Sequence, residues 1–241
     1  MTIGAVNRRD FHNSGLATVA LPDRYQCTLD AIVDSLSDAY ADDNREVGDV
    51  RYFSDRIMDV WSINEHVRRL ALAPEVLELL AQLFGRRPLP FQTLNFRSGT
   101  QQHLHSDATH FNSDPGGFVA AVWIALENIT MDIGPVVYYP GSHALAEISM
   151  GNVSRPRGPH SDDVIKRALG AAGITPHYGL IPRGHALLWV GDLVHGGAPV
   201  LRPRATRHSQ VTHYFFDKCR YWVPKLSSAG AVQWRDPRWI S

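Results

Sequence analysis

Residues 101–123 read QQHLHSDATHFNSDPGGFVAAVW and place an imidazole and a carboxylate two positions apart, at His105 and Asp107. In an extended chain alternate side chains share a face, so His105 and Asp107 converge on one point while Ser106 turns away. A second imidazole from a distant part of the chain completes a two-His, one-carboxylate face. That donor set suits a ferrous ion and leaves its other positions open to oxygen and a substrate.

The rest of the composition is compatible with such a site. The chain has 241 residues, enough to bury a full core, with 44% hydrophobic and 20% charged residues. Lys+Arg and Asp+Glu are 24 each, so no global field draws the chain to nucleic acid or to an anionic membrane. Twelve histidines supply ligands. Cys27 and Cys219 stand alone, which argues against a disulfide framework or a Cys-rich zinc site and for a reducing compartment. Residues 1–15 lack the apolar centre of a signal peptide, and no apolar run is long enough to span a bilayer. A cytoplasmic protein with a small-molecule partner is expected.

Working outward, the first third of the chain reads as helical and the remainder as strands. A short strand is expected near residues 16–21. Leu29, Ile32, Val33, Leu36 and Tyr40 recur at helical spacing over 28–40. Residues 46–63 show no clear period; they read as a helical layer packed outside a sheet, with a substrate lid as the sharper alternative. A short helix over 64–70 precedes a stronger one that opens at Pro74 and ends at Gly85. From Pro88 the runs PFQTLNF, GGFVAAVWIAL, GPVVYYP, HALLWV and SQVTHYFF alternate with Gly and Pro, the pattern of a sandwich or closed jelly-roll. The whole reads as one domain over 1–241, mainly β with packing helices. Its helix-rich part is 25–86, its jelly-roll core about 88–217, and an insertion about 144–178. Within the insertion, 153–159 is polar and Pro-rich, and SDDVIKRALG from Ser161 resembles a capped helix.

Spacing alone does not select the ligands. His-x-Asp recurs at His160-Ser161-Asp162, but there Ser161 and the acidic pair behind it suit a helix N-terminus, which makes His160 a surface residue. His103 shares a face with His105, and a set of His103, His105 and His195 suits zinc and hydrolysis. For the distant imidazole the candidates are His185, His195, His208 and His213. His195 is preferred because Gly196 and Gly197 permit close backbone approach and special dihedrals beside an ion.

The sequence resembles the phytanoyl-CoA dioxygenase family of iron(II)- and 2-oxoglutarate-dependent oxygenases. The resemblance rests on His105-Ser106-Asp107, Trp123 in VWIALENIT, Gly134-Pro135 with YYPGSH at 138–143, Gly191-Asp192 with His195-Gly196-Gly197, and Arg207 in TRHSQVTHYF. It implies a double-stranded β-helix of the jelly-roll or cupin type, with His105, Asp107 and His195 as iron ligands. It also implies Fe(II), 2-oxoglutarate and O2 as the reacting partners. The far carboxylate of 2-oxoglutarate needs a buried cation, for which Arg207 is the candidate, with Ser209 on the same side. Arg202 and Arg204 flank Pro203 and read as a solvated turn. By the same resemblance Trp123 borders the cosubstrate pocket. Thr93 and Asn95 share one face of the preceding strand and become cosubstrate or substrate contacts if that face is interior; Gln102 is a similar candidate.

The implied reaction is hydroxylation of an unactivated C–H, with succinate and carbon dioxide as co-products. Related halogenases carry a small residue at the position of Asp107, so hydroxylation or desaturation is expected here and halogenation is not. The substrate is not legible; an amino acid or natural-product intermediate is the expected scale. Thr109, His110, Phe111 and Asn112 follow the metal strand and are the substrate candidates. Arg155, Arg157, Lys166 and Arg167 could meet an anion, although such a run usually forms a solvated helix face. The competing readings are a non-catalytic metal-binding jelly-roll and the zinc hydrolase.

Overall fold

The computed structural model describes residues 6–40, 44–145, 159–228 and 230–241, with 159–161 described by backbone alone. Helix α1 (Arg8–Ser14), capped by the Asn7 side chain, leads into strand β1 (Leu16–Ala20) and helix α2 (Gln26–Leu36). Three short strands follow: β2 (Arg45–Val47), β3 (Val50–Tyr52) and β4 (Arg56–Met58). Asn64 caps α3 (Glu65–Ala71) by accepting from the amides of His66 and Val67. In α4 (Pro74–Phe84) Pro occupies the first turn, and Gly85 ends the helix at φ 68°, a conformation that glycine adopts without a Cβ penalty.

The remaining strands are β5 (Pro88–Phe96), β6 (Asn112–Asp114), β7 (Val119–Ala125) and β8 (Val136–Tyr138). After α5 (Pro159–Ala171) come β9 (His177–Tyr178), β10 (His185–Val190), β11 (His195–Gly197) and β12 (Ser209–Phe216). Strands β13 (Arg220–Trp222) and β14 (Trp234–Arg235) are last. A large sheet runs β1-β10-β7-β12-β5-β4-β3-β2, and smaller sheets run β11-β8-β9 and β14-β13-β6. The jelly-roll expectation holds.

The central strands of the large sheet are buried on both faces, and alternation assigns each residue to one of them. Val122, Ile124, Ala186, Leu188, Tyr214 and Phe216 pack with Leu29, Ile32, Val67, Leu70, Leu80 and Leu83 of the helices. Ala121, Trp123, Ala125, Leu187, Trp189 and Val211 form the other face and pack with Ile129, Val136 and Leu193. Only this second face can present side chains to an interior site.

Residues 46–63 depart from expectation. Instead of a helical layer they form β2, β3 and β4, which extend the large sheet beyond β5. Each strand is three residues long, too short for any period to register in the sequence. The polar run at 153–158, with Arg155 and Arg157, lies outside the described residues. α5 begins two residues before Ser161, and Lys166 and Arg167 on it are exposed, as a solvated face requires.

Candidate metal centre

His105 and His195 form an antiparallel bridge in which each backbone amide donates to the other's carbonyl at 2.9 Å. This pairing sets the two side chains opposite one another, with ring centroids 4.4 Å apart. It depends on the two glycines after His195. A Cβ at Gly197 would lie 2.7 Å from the Gln101 nitrogen, and one at Gly196 would lie 2.8 Å from the Gln102 carbonyl oxygen. Neither glycine has positive φ, so they provide close approach and not the special dihedrals expected of them.

The rings are oriented from behind. Nδ1 of His105 lies 2.7 Å from the His103 carbonyl, and Nδ1 of His195 lies 3.1 Å from the Leu193 carbonyl. A carbonyl only accepts, so Nδ1 carries the proton in both rings and Nε2 keeps its lone pair for an ion.

Asp107 reaches the same place by a different route from the one expected. The extended backbone ends at Ser106, and Asp107 opens a single 3₁₀ turn over Asp107–Thr109. Its Oδ2 accepts from Trp189 Nε1 at 2.9 Å, with His213 Nε2 3.6 Å away, while Oδ1 lies 3.8 Å from His195 Nε2. Burial raises the carboxyl's pKa, but the charge that His195, His213 and His105 carry when protonated outweighs it and holds the group well below the usual carboxylate range. His105, Asp107 and His195 are buried, and each offers one ligand atom within 4.8 Å of the others. Three donors on one face of an ion, at bond lengths of about 2.0–2.2 Å, lie about 3 Å from one another, so the side chains would draw together to hold it. Two imidazole lone pairs and one ionised carboxylate fit a divalent transition-metal ion that retains open positions.

His103 is not part of this set. It is half-exposed and pairs through Nδ1 with Asp162 of α5 at 2.9 Å, so the three-histidine zinc arrangement is not assembled. Of the other distant histidines, only His213 enters the site.

The ligands open onto a cavity of about 620 Å³ that is also lined by Arg207, Trp123, Gln102, His110 and Phe111. Arg207 is buried. Its Nη1 donates to Ser209 Oγ at 2.9 Å and its Nη2 to the Ser98 carbonyl at 3.3 Å, while Nε has no partner among the described residues. Its charged carbon sits 5.4 Å from the Trp123 ring and 5.5 Å from the Phe96 ring. Among the described residues no carboxylate pairs with it; nearby Glu127 accepts from the His208 amide and the Thr206 hydroxyl instead. Burial lowers the Arg207 pKa to about 10, with Glu127 and Tyr40 pulling the other way.

Thr93 and Asn95 require correction. β5 turns Gln92, Leu94 and Phe96 to the cavity, and Asn95 instead donates to Gln210, which in turn donates to the Val67 carbonyl of α3. Both residues therefore face the helices. Thr109 and Asn112 also stay off the lining. The Thr109 hydroxyl donates to the Ser106 carbonyl, and Asn112 Oδ1 accepts from the Ser113 amide. Trp189 was not singled out in the sequence, although its parity with Leu187 on β10 was a usable signal. Arg51, Arg56 and Met58 line the cavity from the stretch for which a substrate lid was the alternative reading, and Val223, Lys225, Leu226, Gln233, Trp234 and Arg235 line it without having been anticipated.

A double-stranded β-helix thus carries a candidate metal site of two histidines and one carboxylate, in the same cavity as a buried guanidinium that has no carboxylate partner among the described residues. The chain belongs to the phytanoyl-CoA dioxygenase (PhyH) family, whose sequence profile matches residues 20–209. It is 25% identical over 178 residues to phytanoyl-CoA dioxygenase domain-containing protein 1 of Mus musculus, covering 72% of this chain and 56% of that protein. The Danio rerio protein of the same name is 28% identical over 163 residues, covering 66% of this chain and 55% of the relative. The chain thus spans little more than half the length of these relatives.

Among solved structures, EctD from S. alaskensis in its apoform superposes with a TM-score of 0.69 at 17% identity, covering 97% of this chain and 84% of that one. The non-heme alpha-ketoglutarate-dependent carbocyclase SnoK from nogalamycin biosynthesis gives 0.68 at 16% identity, covering 96% and 92%. EctD with 2-oxoglutarate and 5-hydroxyectoine gives 0.66 at 18% identity, covering 88% and 76%. At such identities the likeness is one of fold. Among the described residues no helix is long and apolar enough to cross a membrane.

Proposed function

We propose that this chain is an Fe(II)- and 2-oxoglutarate-dependent oxygenase that hydroxylates an unactivated C–H of a small-molecule metabolite, on the scale of an amino acid or natural-product intermediate, and releases succinate and CO2. The observation that carries this reading is Arg207, a buried guanidinium without a carboxylate partner among the described residues, lining the same cavity as the three ligands. A buried charge is costly unless paired, and a plain metal site has no use for a second, anion-seeking group. The relative solved with 2-oxoglutarate and a hydroxylated compound supports the same reading.

In this scheme His105, Asp107 and His195 hold the ion, whose chemistry when bound is to activate O2 at the expense of 2-oxoglutarate. Arg207 and Ser209 take the remote carboxylate as a charge-assisted pair, and Trp123 and Phe96 keep water from it. Gln102, His110 and Phe111 border the remaining space, where the substrate carbon lies. Because Asp107 fills its ligand position, no place is left for a halide, and the expected product carries oxygen and no chlorine. Cys27 and Cys219 are both free thiols, in keeping with a cytoplasmic protein.

Anaerobic reconstitution with ferrous ion, followed by oxygen and a metabolite screen read as succinate formed, tests the proposal. His105→Ala should abolish iron binding. Arg207→Ala should weaken 2-oxoglutarate affinity by about 2–5 kcal/mol, the scale for truncating a buried charge partner. Iron-loaded protein that never converts 2-oxoglutarate would reduce the chain to a metal-binding module.

A further inference from the structure

The ion and cosubstrate account for one part of the cavity. Another part is formed by β3, β4, residues 223–226 and residues 233–235, and carries four cations: Arg51, Arg56, Lys225 and Arg235. Across the described lining the one carboxylate is Asp107. Two of the four cations are already satisfied, since Arg56 lies 2.7 Å from Asp55 and Lys225 is exposed to water.

Arg51 and Arg235 differ. Arg51, with its side chain 43% exposed at the cavity mouth, reaches only to 3.8 Å from Asp59 Oδ2, and Asp59 Oδ1 is already accepting from the Thr93 amide at 3.0 Å. Arg235 is partly buried and has no carboxylate within ion-pairing distance among the described residues. Its guanidinium sits 4.9 Å from the Phe91 ring centroid, which orients it; burial weakens its hold on its proton, the charge of Asp59 opposes that shift, and the charge of Arg51 adds to it. Two guanidiniums that repel one another over a single, partly committed carboxylate leave an excess of positive charge in a half-enclosed space. Planar donor forks of this kind bind carboxylates and phosphates.

We propose that Arg51 and Arg235 form a second anion site, separate from Arg207, and that the substrate is a small molecule carrying a carboxylate or phosphate group at that end. Its uncharged part then lies along Met58, Leu94 and Phe111 towards the ligand cluster. The cavity volume lies within the range of about 300–1,000 Å³ typical of small-molecule sites. The word substrate rests on the oxygenase reading; the anion site itself does not.

The test is equilibrium binding to the full chain, without metal or 2-oxoglutarate, of three probes of matched shape: phenylacetate, phenyl phosphate and phenylacetamide. At least one anion is expected to bind about tenfold or more tightly than the neutral amide, the scale of a charge-assisted hydrogen bond. The better of the two anions identifies the substrate group. The combined Arg51→Gln, Arg235→Gln variant should erase the preference, and the Arg51→Lys, Arg235→Lys variant should retain much of it, with thermal melts confirming that both fold. Amide binding equal to that of both anions overturns the proposal. So does a preference that survives the glutamine pair, or one lost in Arg207→Ala, because the probe would then occupy the cosubstrate anchor. No iron enters the measurement, so a failed reconstitution leaves this result standing, and a failed anion test leaves the oxygenase reading standing.

Discussion

Asp107 has two oxygens in different surroundings. Oδ2 accepts the Trp189 indole N–H at 2.9 Å, which leaves Oδ1 on the side of His195. The indole thereby selects the rotamer in which a single oxygen is offered to the ion. Groups that hold a ligand from behind typically contribute about 10–100-fold to metal affinity. Trp189→Phe retains the ring but not the donor, so ferrous-ion affinity measured anaerobically should fall by about that factor, with the far-UV circular dichroism unchanged. An unaltered affinity would assign the orientation of Asp107 to packing alone. His213, 3.6 Å from the same oxygen, does not replace the indole because its contact is too long to be a hydrogen bond.

At the scale of elements, the site depends on how closely β11 approaches residues 101–105. Gly197→Ala would drive a methyl group into the backbone of Gln101 and Gln102, atoms that cannot rotate away. The strand must shift, carrying His195 with it, at an overpacking cost of about 1–3 kcal/mol. Chemical denaturation should show that loss together with weakened metal binding, whereas Gly116→Ala, with open space around its Cβ, should stay within about 0.5 kcal/mol of the parent. The candidate ligands were legible in the sequence because Gly196 and Gly197 beside His195 marked a close backbone approach, and the long apolar runs marked β7, β10 and β12. The facing of β5 was not legible. Its residues are largely buried on both sides, so alternation carries no inside-outside signal, and a register shift opposite His213/Tyr214 leaves Phe91 outside the pairing. Gln92 and Leu94 face the cavity because they lie directly opposite His213 and Val211 of β12, which line it, while the irregularity breaks the alternation only towards the start of β5. The short strands β2 to β4 were hidden for a simpler reason: three residues do not make a period.

For the molecule as a whole, the proposed ligands act as ties between layers. An ion held by the three candidate ligands would join β11 of a small sheet to the 101–107 segment, and 2-oxoglutarate bound as proposed would extend that link to Arg207, two residues before β12 of the large sheet. A ligand bound only by the folded state stabilises it by about 2.7 kcal/mol at a hundredfold excess over its Kd. For a chain of this size each kcal/mol moves Tm by about 2–4 °C, so saturating ferrous ion under argon should raise Tm by about 5–10 °C. Adding 2-oxoglutarate should raise it again. The variants separate the two increments: His195→Ala should lose the first, while Arg207→Ala should keep the first and lose most of the second, since the ion remains held when the remote carboxylate loses its anchor. Equal loss of both increments in Arg207→Ala would mean that the guanidinium supports the metal cluster itself, and the assignment of Arg207 to the cosubstrate would then fail.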